Sequence, residues 1–249
     1  MRAASIALGL LLVACGQAEP PPPLPEPPQA ARMPTWFICD AIDAPMLLVF
    51  ERDGTTARVA QYEKPSGAIV QRTTYEIGDQ EGAAGSVYTT LIQNGMEAGA
   101  IRQINPGMLE TPGAAYTTPF TSVRLGAQEI SCRWMPRTRL MGFTGRRTVV
   151  VSEDADGDLL YTSYDFASAA AAQQIELSDN GRSTTFSLEA RDGQEEVGPN
   201  GATYTFQADS ETTIAVITDN GAGRIEVRRH GPNPAQTEDL TAYIEGTAE

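Results

Sequence analysis

The sequence contains little of the material from which most catalytic and metal sites are built. Its 249 residues include one His and three Cys, which leaves few ligands for a zinc site and few partners for a Ser–His or Cys–His pair. No Gly-rich phosphate-binding loop opens onto a helical pattern. We therefore expect no catalytic residue, no metal and no cofactor, and we expect that the protein is not an enzyme.

Basic residues and aromatic residues are also scarce. The chain has 18 Lys and Arg against 32 Asp and Glu, a formal net charge of −14, and only 7% aromatic residues. This charge repels nucleic acids and anionic headgroups, so we expect no nucleic-acid partner. Carboxylate pairs keep a cell-wall hydrolase as one alternative. Trp36 and Trp134 are the only Trp residues, however, and sugar-cleaving grooves are usually richer in aromatic platforms.

The N-terminus has the pattern of a secretion signal. A basic start at Arg2 precedes a stretch of about a dozen apolar residues, which is shorter than the ~20 that a membrane-spanning helix needs. The stretch ends in Leu12-Val13-Ala14-Cys15-Gly16, which resembles the lipobox of bacterial lipoproteins. The resemblance implies cleavage before Cys15, acylation of Cys15 and, with Gly at position 16, an anchor in the outer membrane that faces the periplasm.

A proline-rich segment follows the signal. Seven of the nine residues from Pro20 to Pro28 are Pro, which favours an extended polyproline II conformation. A tether is the favoured interpretation, and a proline-rich recognition ligand is the alternative. We divide the chain into a signal peptide (1–14), an acylated Cys with its tether (15–35), and two folded domains (36–140 and 141–249).

The folded part has the pattern of an all-β protein. Short alternating runs flank Asp-Gly and Asn-Gly dipeptides, which are typical of β-hairpins. The pattern predicts two antiparallel β-meander domains, each a barrel or a sandwich, with one short helix over Ala169 to Ala172. Residues 134–148 carry four Arg and no acid. We expect this basic stretch to dock on the acidic second half, and a binding patch is the alternative.

Three further features each have a structural and a functional interpretation. If Cys15 is acylated, Cys39 and Cys132 remain as a pair in an oxidising compartment, which favours a disulfide over two buried thiols. The acidic run from Asp154 to Asp158 does not match the spacing of an EF-hand loop, which favours a hairpin turn over a calcium site. His230 lies in a turn pattern near the C-terminus, which favours a solvated histidine over a catalytic base.

The first folded half resembles the membrane-bound inhibitors of c-type lysozyme. The resemblance is carried by four short segments: Phe37-Ile38-Cys39, Ala84 to Tyr88, Leu91 to Ala98, and Ser131-Cys132-Arg133. It implies a disulfide-closed antiparallel barrel over roughly Trp36 to Arg133. It also implies a binding site at Ser86, Tyr88 and Asn94, because a loop Ser and a turn Lys of that family enter the lysozyme cleft. Asn94 stands where the Lys would be and offers an amide without a charge.

These observations together predict an outer-membrane lipoprotein that acts as a macromolecule-binding module. Its partners would be the membrane, through the acyl anchor, and a cationic protein such as c-type lysozyme or another envelope component. The first alternative is a structural or envelope-assembly lipoprotein without inhibitory activity. The second is the cell-wall hydrolase named above.

Overall fold

The protein folds into two antiparallel β-sheets, one of which is a nearly closed barrel and the other a half-barrel. The computed structural model describes residues 33–83, 85–105, 108, 117–167, 187–232 and 234–246. The all-β prediction is confirmed for these residues, none of which belongs to a helix that could span a membrane. Cys15, the proline tether and the predicted helix over Ala169 to Ala172 lie outside the described residues.

The first sheet contains eight strands that pair in chain order, each with its sequence neighbours. They are β1 (Thr35–Asp40), β2 (Met46–Asp53), β3 (Thr56–Glu63), β4 (Ile69–Ala83), β5 (Ser86–Gln93), β6 (Met96–Ile104), β7 (Phe120–Leu125) and β8 (Gln128–Ser131). All eight strands contribute side chains to one core. At its centre the Phe37 ring stacks between Phe50 and Phe120, with ring centroids 4.2 and 4.0 Å away.

The last strand of the first sheet returns to the first strand. Ala41 forms an isolated antiparallel bridge with Cys132, and a disulfide joins Cys39 to Cys132 with a Cα–Cα distance of 4.8 Å. Asp43 accepts a hydrogen bond from the backbone N–H of Ser131 at 3.0 Å. The predicted disulfide is therefore confirmed, and it closes the barrel between β1 and β8.

The second sheet contains nine strands. They are β9 (Thr138–Phe143), β10 (Arg147–Glu153), β11 (Leu159–Asp165), β12 (Leu188–Gly198), β13 (Gly201–Gln207), β14 (Thr212–Asp219), β15 (Ala222–Arg229), β16 (Gln236–Asp239) and β17 (Ala242–Glu245). Strands β9 to β16 pair in chain order, and β17 pairs with β9. The C-terminal strand therefore returns to the first strand of this sheet.

The Asp-Gly and Asn-Gly turns form hairpins as predicted. Asn94 and Gly95 join β5 to β6 with φ of 54° and 74°, and Asn220 and Gly221 join β14 to β15 with φ of 49° and 79°. Two successive left-handed residues are what a tight hairpin turn requires, and Asn-Gly is the dipeptide that accepts them most readily. The hairpin predicted around Asn180 lies outside the described residues.

Each sheet has a core of its own, and a third apolar cluster contains residues of both sheets. Ile38, Leu47 and Val49 of the first sheet pack there against residues of the second, which are Met141, Phe143, Val150, Tyr164 and Phe166. The predicted domain boundary between residues 140 and 141 falls within β9. The division into two domains stays a prediction, but this shared cluster holds the two sheets together.

Candidate functional site

The three residues predicted to bind lysozyme lie along a single strand. Ser86 is the first residue of β5, Tyr88 follows within the strand, and Asn94 comes directly after its end. A strand advances about 3.3 Å per residue, so Ser86 and Asn94 are separated by roughly 26 Å. The structure therefore does not bring Ser86 and Asn94 together at one edge of the barrel.

The surroundings of these residues also differ. Ser86 is buried, and its hydroxyl accepts a hydrogen bond from Nε of Arg102 at 3.0 Å. Tyr88 is exposed on the barrel surface. Asn94 lines an open groove of about 540 Å³ together with Arg72 and Glu76. The guanidinium of Arg72 is thus the cation that shares a groove with Asn94, on the neighbouring strand β4.

The acidic run between β10 and β11 forms a capped turn. The Asp154 carboxylate accepts hydrogen bonds from the backbone N–H groups of Asp156 and Asp158, at 2.9 and 3.0 Å. A side chain that binds its own turn in this way stabilises the turn locally. Within the described ranges, no group of three or more His, Cys, Asp or Glu side chains could hold a metal ion.

Three hairpins of the second sheet bring acidic side chains to one of its ends. Consecutive antiparallel strands place the β10–β11, β12–β13 and β14–β15 hairpins at the same end of the sheet. The backbone N–H of Asn220 donates to the carbonyl of Asn200 at 2.9 Å, which joins two of these hairpins. We call this region the acidic end, and its acidic residues are Asp154, Asp156, Asp158, Glu196 and Asp219.

The opposite end of the second sheet carries charges of both signs, because the exposed acids Asp209 and Glu211 of the β13–β14 loop lie there beside basic residues. It includes the exposed residues Arg146, Arg228, Arg229 and His230. The backbone N–H of His230 donates to the carbonyl of Glu211 at 2.7 Å, so His230 lies in the loop that follows β15. This exposed position agrees with the interpretation of His230 as a solvated histidine.

The basic stretch of residues 134–148 docks on acidic partners of the second sheet. Arg139 pairs with Glu153 and lies 3.7 Å from Glu195, whereas Arg147 contacts Glu238 at 3.2 Å. These arginines belong to β9 and β10 and are therefore part of the sheet. The expectation that the basic stretch docks on the second half is confirmed for Arg139 and Arg147, whose charges are neutralised there.

The sequence analysis missed a buried ionic cluster at the end of β1. Asp40, at the end of β1, is fully buried, and its carboxylate contacts both Lys64 and Arg133. Nε of Arg133 lies 2.8 Å from one Asp40 oxygen, and Nζ of Lys64 also donates to the carbonyl of Ala41 at 2.8 Å. We call Lys64, Asp40 and Arg133 the buried triad.

The two cations decide the ionisation state of Asp40. Burial alone would raise the pKa of the carboxyl, because it removes the charged form from water. Lys64 and Arg133 outweigh burial and hold the pKa of Asp40 below its ordinary value. Asp40 is therefore ionised at neutral pH and does not act as an acid there.

Aromatic rings of the second sheet cover the buried triad. Cζ of Arg133 lies 3.5 Å from the ring centroid of Tyr164, and Nζ of Lys64 lies 5.6 Å from that of Phe166. Both geometries are within the range of cation–π contacts. The triad is thus enclosed between the two sheets, where it connects them and is inaccessible to a substrate.

The amino-acid composition contains one feature that points to the buried triad. Lys64 is the only Lys in the chain, whose other basic residues are Arg. A lone Lys in an Arg-rich sequence indicates a position where a compact ammonium serves a particular contact. Asp40 and Arg133 directly follow Cys39 and Cys132, so the predicted disulfide already brings these two residues close together. The sequence does not reveal that Lys64 joins them.

Buried tyrosines form a second group with perturbed ionisation. Burial raises the pKa of Tyr161 to about 12. Burial, together with the negative charge of nearby Glu195, also raises the pKa of Tyr204. Both phenols therefore stay protonated at neutral pH, and neither is suited to proton transfer there.

Comparison with protein-family models and with curated proteins gives no match to this chain. The resemblance to lysozyme inhibitors therefore depends on the short segments named above and stays a prediction. The function has to be proposed from the geometry and charge of the folded part.

Proposed function

We propose that the protein is an outer-membrane lipoprotein of the periplasmic face whose folded part binds a cationic macromolecule through the acidic end of the second sheet. The lipobox resemblance at Cys15 supports the anchor, and the proline tether supplies reach. The observation that carries the binding proposal is the convergence of three hairpins with exposed carboxylates at one end of the sheet.

The carboxylates at this end are available to a partner. Asp156, Asp158, Glu196 and Asp219 are exposed, whereas Glu153 beside them is paired with Arg139. Exposed charges of one sign create a local potential that attracts an opposite charge and raises its association rate. The whole chain has a formal charge of −14, and removal of Arg2 with the signal makes it one unit more negative.

The binding surface proposed here differs from the site at Ser86, Tyr88 and Asn94 that the resemblance to lysozyme inhibitors implies. A strongly cationic c-type lysozyme fits the acidic end as a partner by charge. Insertion into its catalytic cleft would need Ser86 and Asn94 side by side, and they lie at opposite ends of β5. We therefore expect salt-sensitive binding of lysozyme with little inhibition.

The test uses the fragment Met33–Glu249, which is a compact unit separate from the N-terminal segment. Its affinity for c-type lysozyme is measured by titration calorimetry at low and at physiological salt. Asp156→Asn with Asp158→Asn should weaken binding by roughly three- to tenfold, as expected for two exposed charges. Asp79→Asn with Glu81→Gln removes the same charge from the first sheet and is the matched control.

Two outcomes would contradict the acidic end as the binding surface. One is equal weakening by the two double variants. The other is unchanged affinity for lysozyme whose lysines have been acetylated, because acetylation removes the charge on which the proposal depends. Turnover of cell-wall material by the fragment alone would favour the hydrolase alternative instead.

The anchor has its own test. Cys15→Ser should abolish palmitate labelling and release the full-length protein from the membrane, because the acyl chains supply its strong membrane affinity. Labelling and fractionation of cells that express the variant check this expectation. Retention of an unlabelled Cys15→Ser protein in the outer membrane would contradict it.

A further inference from the structure

The first barrel has an open cavity at one end of its interior. The cavity measures about 280 Å³, just below the range of about 300–1,000 Å³ that is typical of small-molecule sites. We call it the barrel mouth, and its lining residues are Met46, Leu48, Val59, Gln61, Gln71, Thr73, Tyr75, Leu125, Gln128 and Ile130. These residues come from β2, β3 and β4 on one side and from β7 and β8 on the other.

Strand register explains why glutamines line this cavity. Leu48, Gln61 and Gln71 are paired directly across β2, β3 and β4, so their side chains share one face of the sheet. Leu48 is fully buried in the core of the barrel. Gln61 and Gln71 therefore belong to the inward face, where a barrel strand usually carries apolar residues.

The opposite wall of the cavity, formed by β7 and β8, also contains a glutamine. Leu125 of β7 is paired with Gln128 of β8, so a third glutamine joins the rim. Among the apolar lining residues, Leu48, Val59 and Ile130 are covered by the core, whereas Met46 and Leu125 are half-buried and Tyr75 keeps a little exposed surface. The barrel mouth thus combines an apolar surface of Met46, Tyr75 and Leu125 with a rim of side-chain amides.

The lining contains no side chain that is charged at neutral pH. None of the ten residues is Asp, Glu, Lys, Arg or His, in a chain where one residue in five is charged. A charged group that entered the cavity would lose water without gaining a counter-charge, which is unfavourable. An uncharged polar group could instead exchange hydrogen bonds with the amides, each of which offers both a donor and an acceptor.

From this geometry we infer that the barrel mouth binds a small uncharged amphiphile. Its apolar part contacts Met46, Tyr75 and Leu125, and its polar group contacts the amides of Gln61, Gln71 and Gln128. This site is in the first barrel and is independent of the acidic end of the second sheet. Either proposal can therefore fail without the other.

The test compares two fluorescent probes that share one skeleton, with the fragment Met33–Glu249 in excess. N-phenyl-1-naphthylamine is uncharged, and 8-anilino-1-naphthalenesulfonate is the same aromatic amine with a sulfonate. The uncharged probe should show saturable binding, and the sulfonate should bind at least tenfold more weakly. The bound probe should be displaced by monooctanoylglycerol and not by octanoate at the same concentration, because the two differ mainly in charge.

A pair of matched variants locates the probe. Gln61→Glu places a carboxylate at the half-buried rim and should weaken binding of the uncharged probe at least tenfold. Gln103→Glu makes the same change at a half-buried position of the same barrel, outside the cavity, and should leave binding unchanged. Far-ultraviolet circular dichroism of both variants reports whether the barrel is still folded.

The inference is overturned if the uncharged probe does not bind, if the sulfonate binds equally well, or if Gln103→Glu weakens binding as much as Gln61→Glu. Should Gln61→Glu fail to fold, Gln128→Glu at the exposed rim replaces it with the same expectation. The inference is supported if the uncharged probe binds at least tenfold more tightly than the sulfonate and if Gln61→Glu weakens that binding.

Discussion

The two sheets differ in how far they close. In the first, a disulfide between Cys39 and Cys132 joins the edge strands covalently. The second has no cysteine, and its C-terminal strand β17 returns to pair with β9. Strands β16 and β17 remain the edge strands of the second sheet, which is therefore a half-barrel. Free edges invite pairing with other chains, and the shortness of β16 and β17, at four residues each, limits such pairing.

The return of the C-terminal segment to the second sheet depends on close packing against two glycines. Leu240 and Tyr243 lie so close to Gly142 and Gly223 that an added Cβ would approach their side chains to 2.8–3.2 Å. Glycine at these two strand positions lets the C-terminal segment approach the sheet.

The junction between the two sheets contains buried charges, which come from the first sheet and are covered by aromatic rings of the second. The first contributes the buried triad of Asp40, Lys64 and Arg133, and the second covers it with the rings of Tyr164 and Phe166. Together with the shared apolar cluster, these contacts make the junction a part of the interior. We therefore expect the two sheets to unfold as one cooperative unit.

The largest expected effect comes from opening the first barrel. Cys39→Ser with Cys132→Ser removes a crosslink between residues 93 apart, for which the chain-entropy model gives a loss of about 4–5 kcal/mol in the free energy of unfolding. Urea denaturation of the oxidised fragment and the double variant measures this loss. Reduced wild-type protein is the control and should match the variant, and a loss below 1 kcal/mol would contradict the role assigned to the bridge.

Breaking the buried triad should have a similar effect. Asp40→Asn leaves two buried cations without their anion, which typically costs about 3–5 kcal/mol. Asp53→Asn, at the exposed end of β2, is the matched control and should change stability by less than about 0.5 kcal/mol. Equal effects of the two substitutions in urea denaturation would show that the triad is not a major contact.

The triad also predicts a pH dependence with a definite sign. Because the folded protein lowers the pKa of Asp40, its contribution is complete above the ordinary aspartate pKa of about 4 and is lost as the pH falls below it. Wild-type protein should therefore lose its advantage over Asp40→Asn as the pH is lowered below about 4. Thermal unfolding of both proteins across this range measures the difference, and a constant gap would contradict the assignment.

A smaller effect is expected from the core of the second sheet. An added Cβ at Gly193 would lie 2.1 Å from the Phe206 ring, whereas at Gly198 of the same strand its nearest contact would be at 3.5 Å. Gly193→Ala should destabilise the protein by about 1–3 kcal/mol through overpacking, and Gly198→Ala should be nearly neutral. Thermal denaturation of the two variants compares them, and equal melting temperatures would show that the Phe206 packing is not tight.

Local features of the fold could be predicted from the sequence because they depend on neighbouring residues. The Asn94-Gly95 and Asn220-Gly221 turns need left-handed backbone at two successive positions, and the dipeptide itself supplies it. The disulfide follows from the even pair that remains once Cys15 is assigned to acylation. The separation of Ser86 from Asn94 could also have been deduced, because eight extended residues span most of a barrel strand.

Other features depend on contacts that no sequence pattern contains. The buried triad joins residues from three segments of the first sheet and aromatic rings from the second. The glutamine rim of the barrel mouth depends on the register that pairs Gln61 with Gln71. Taken singly, these glutamines are indistinguishable from the polar residues of a solvent-facing strand.

Native-state hydrogen exchange tests most directly whether the two sheets form one cooperative unit. Protection is measured by mass spectrometry in β5 and in β14, for the oxidised protein and for Cys39→Ser with Cys132→Ser. We predict that loss of the bridge in the first barrel lowers the opening free energy of the slowest amides by the same amount in both strands. Unchanged protection in β14, with protection lost in β5, would contradict the account and show that the sheets unfold independently.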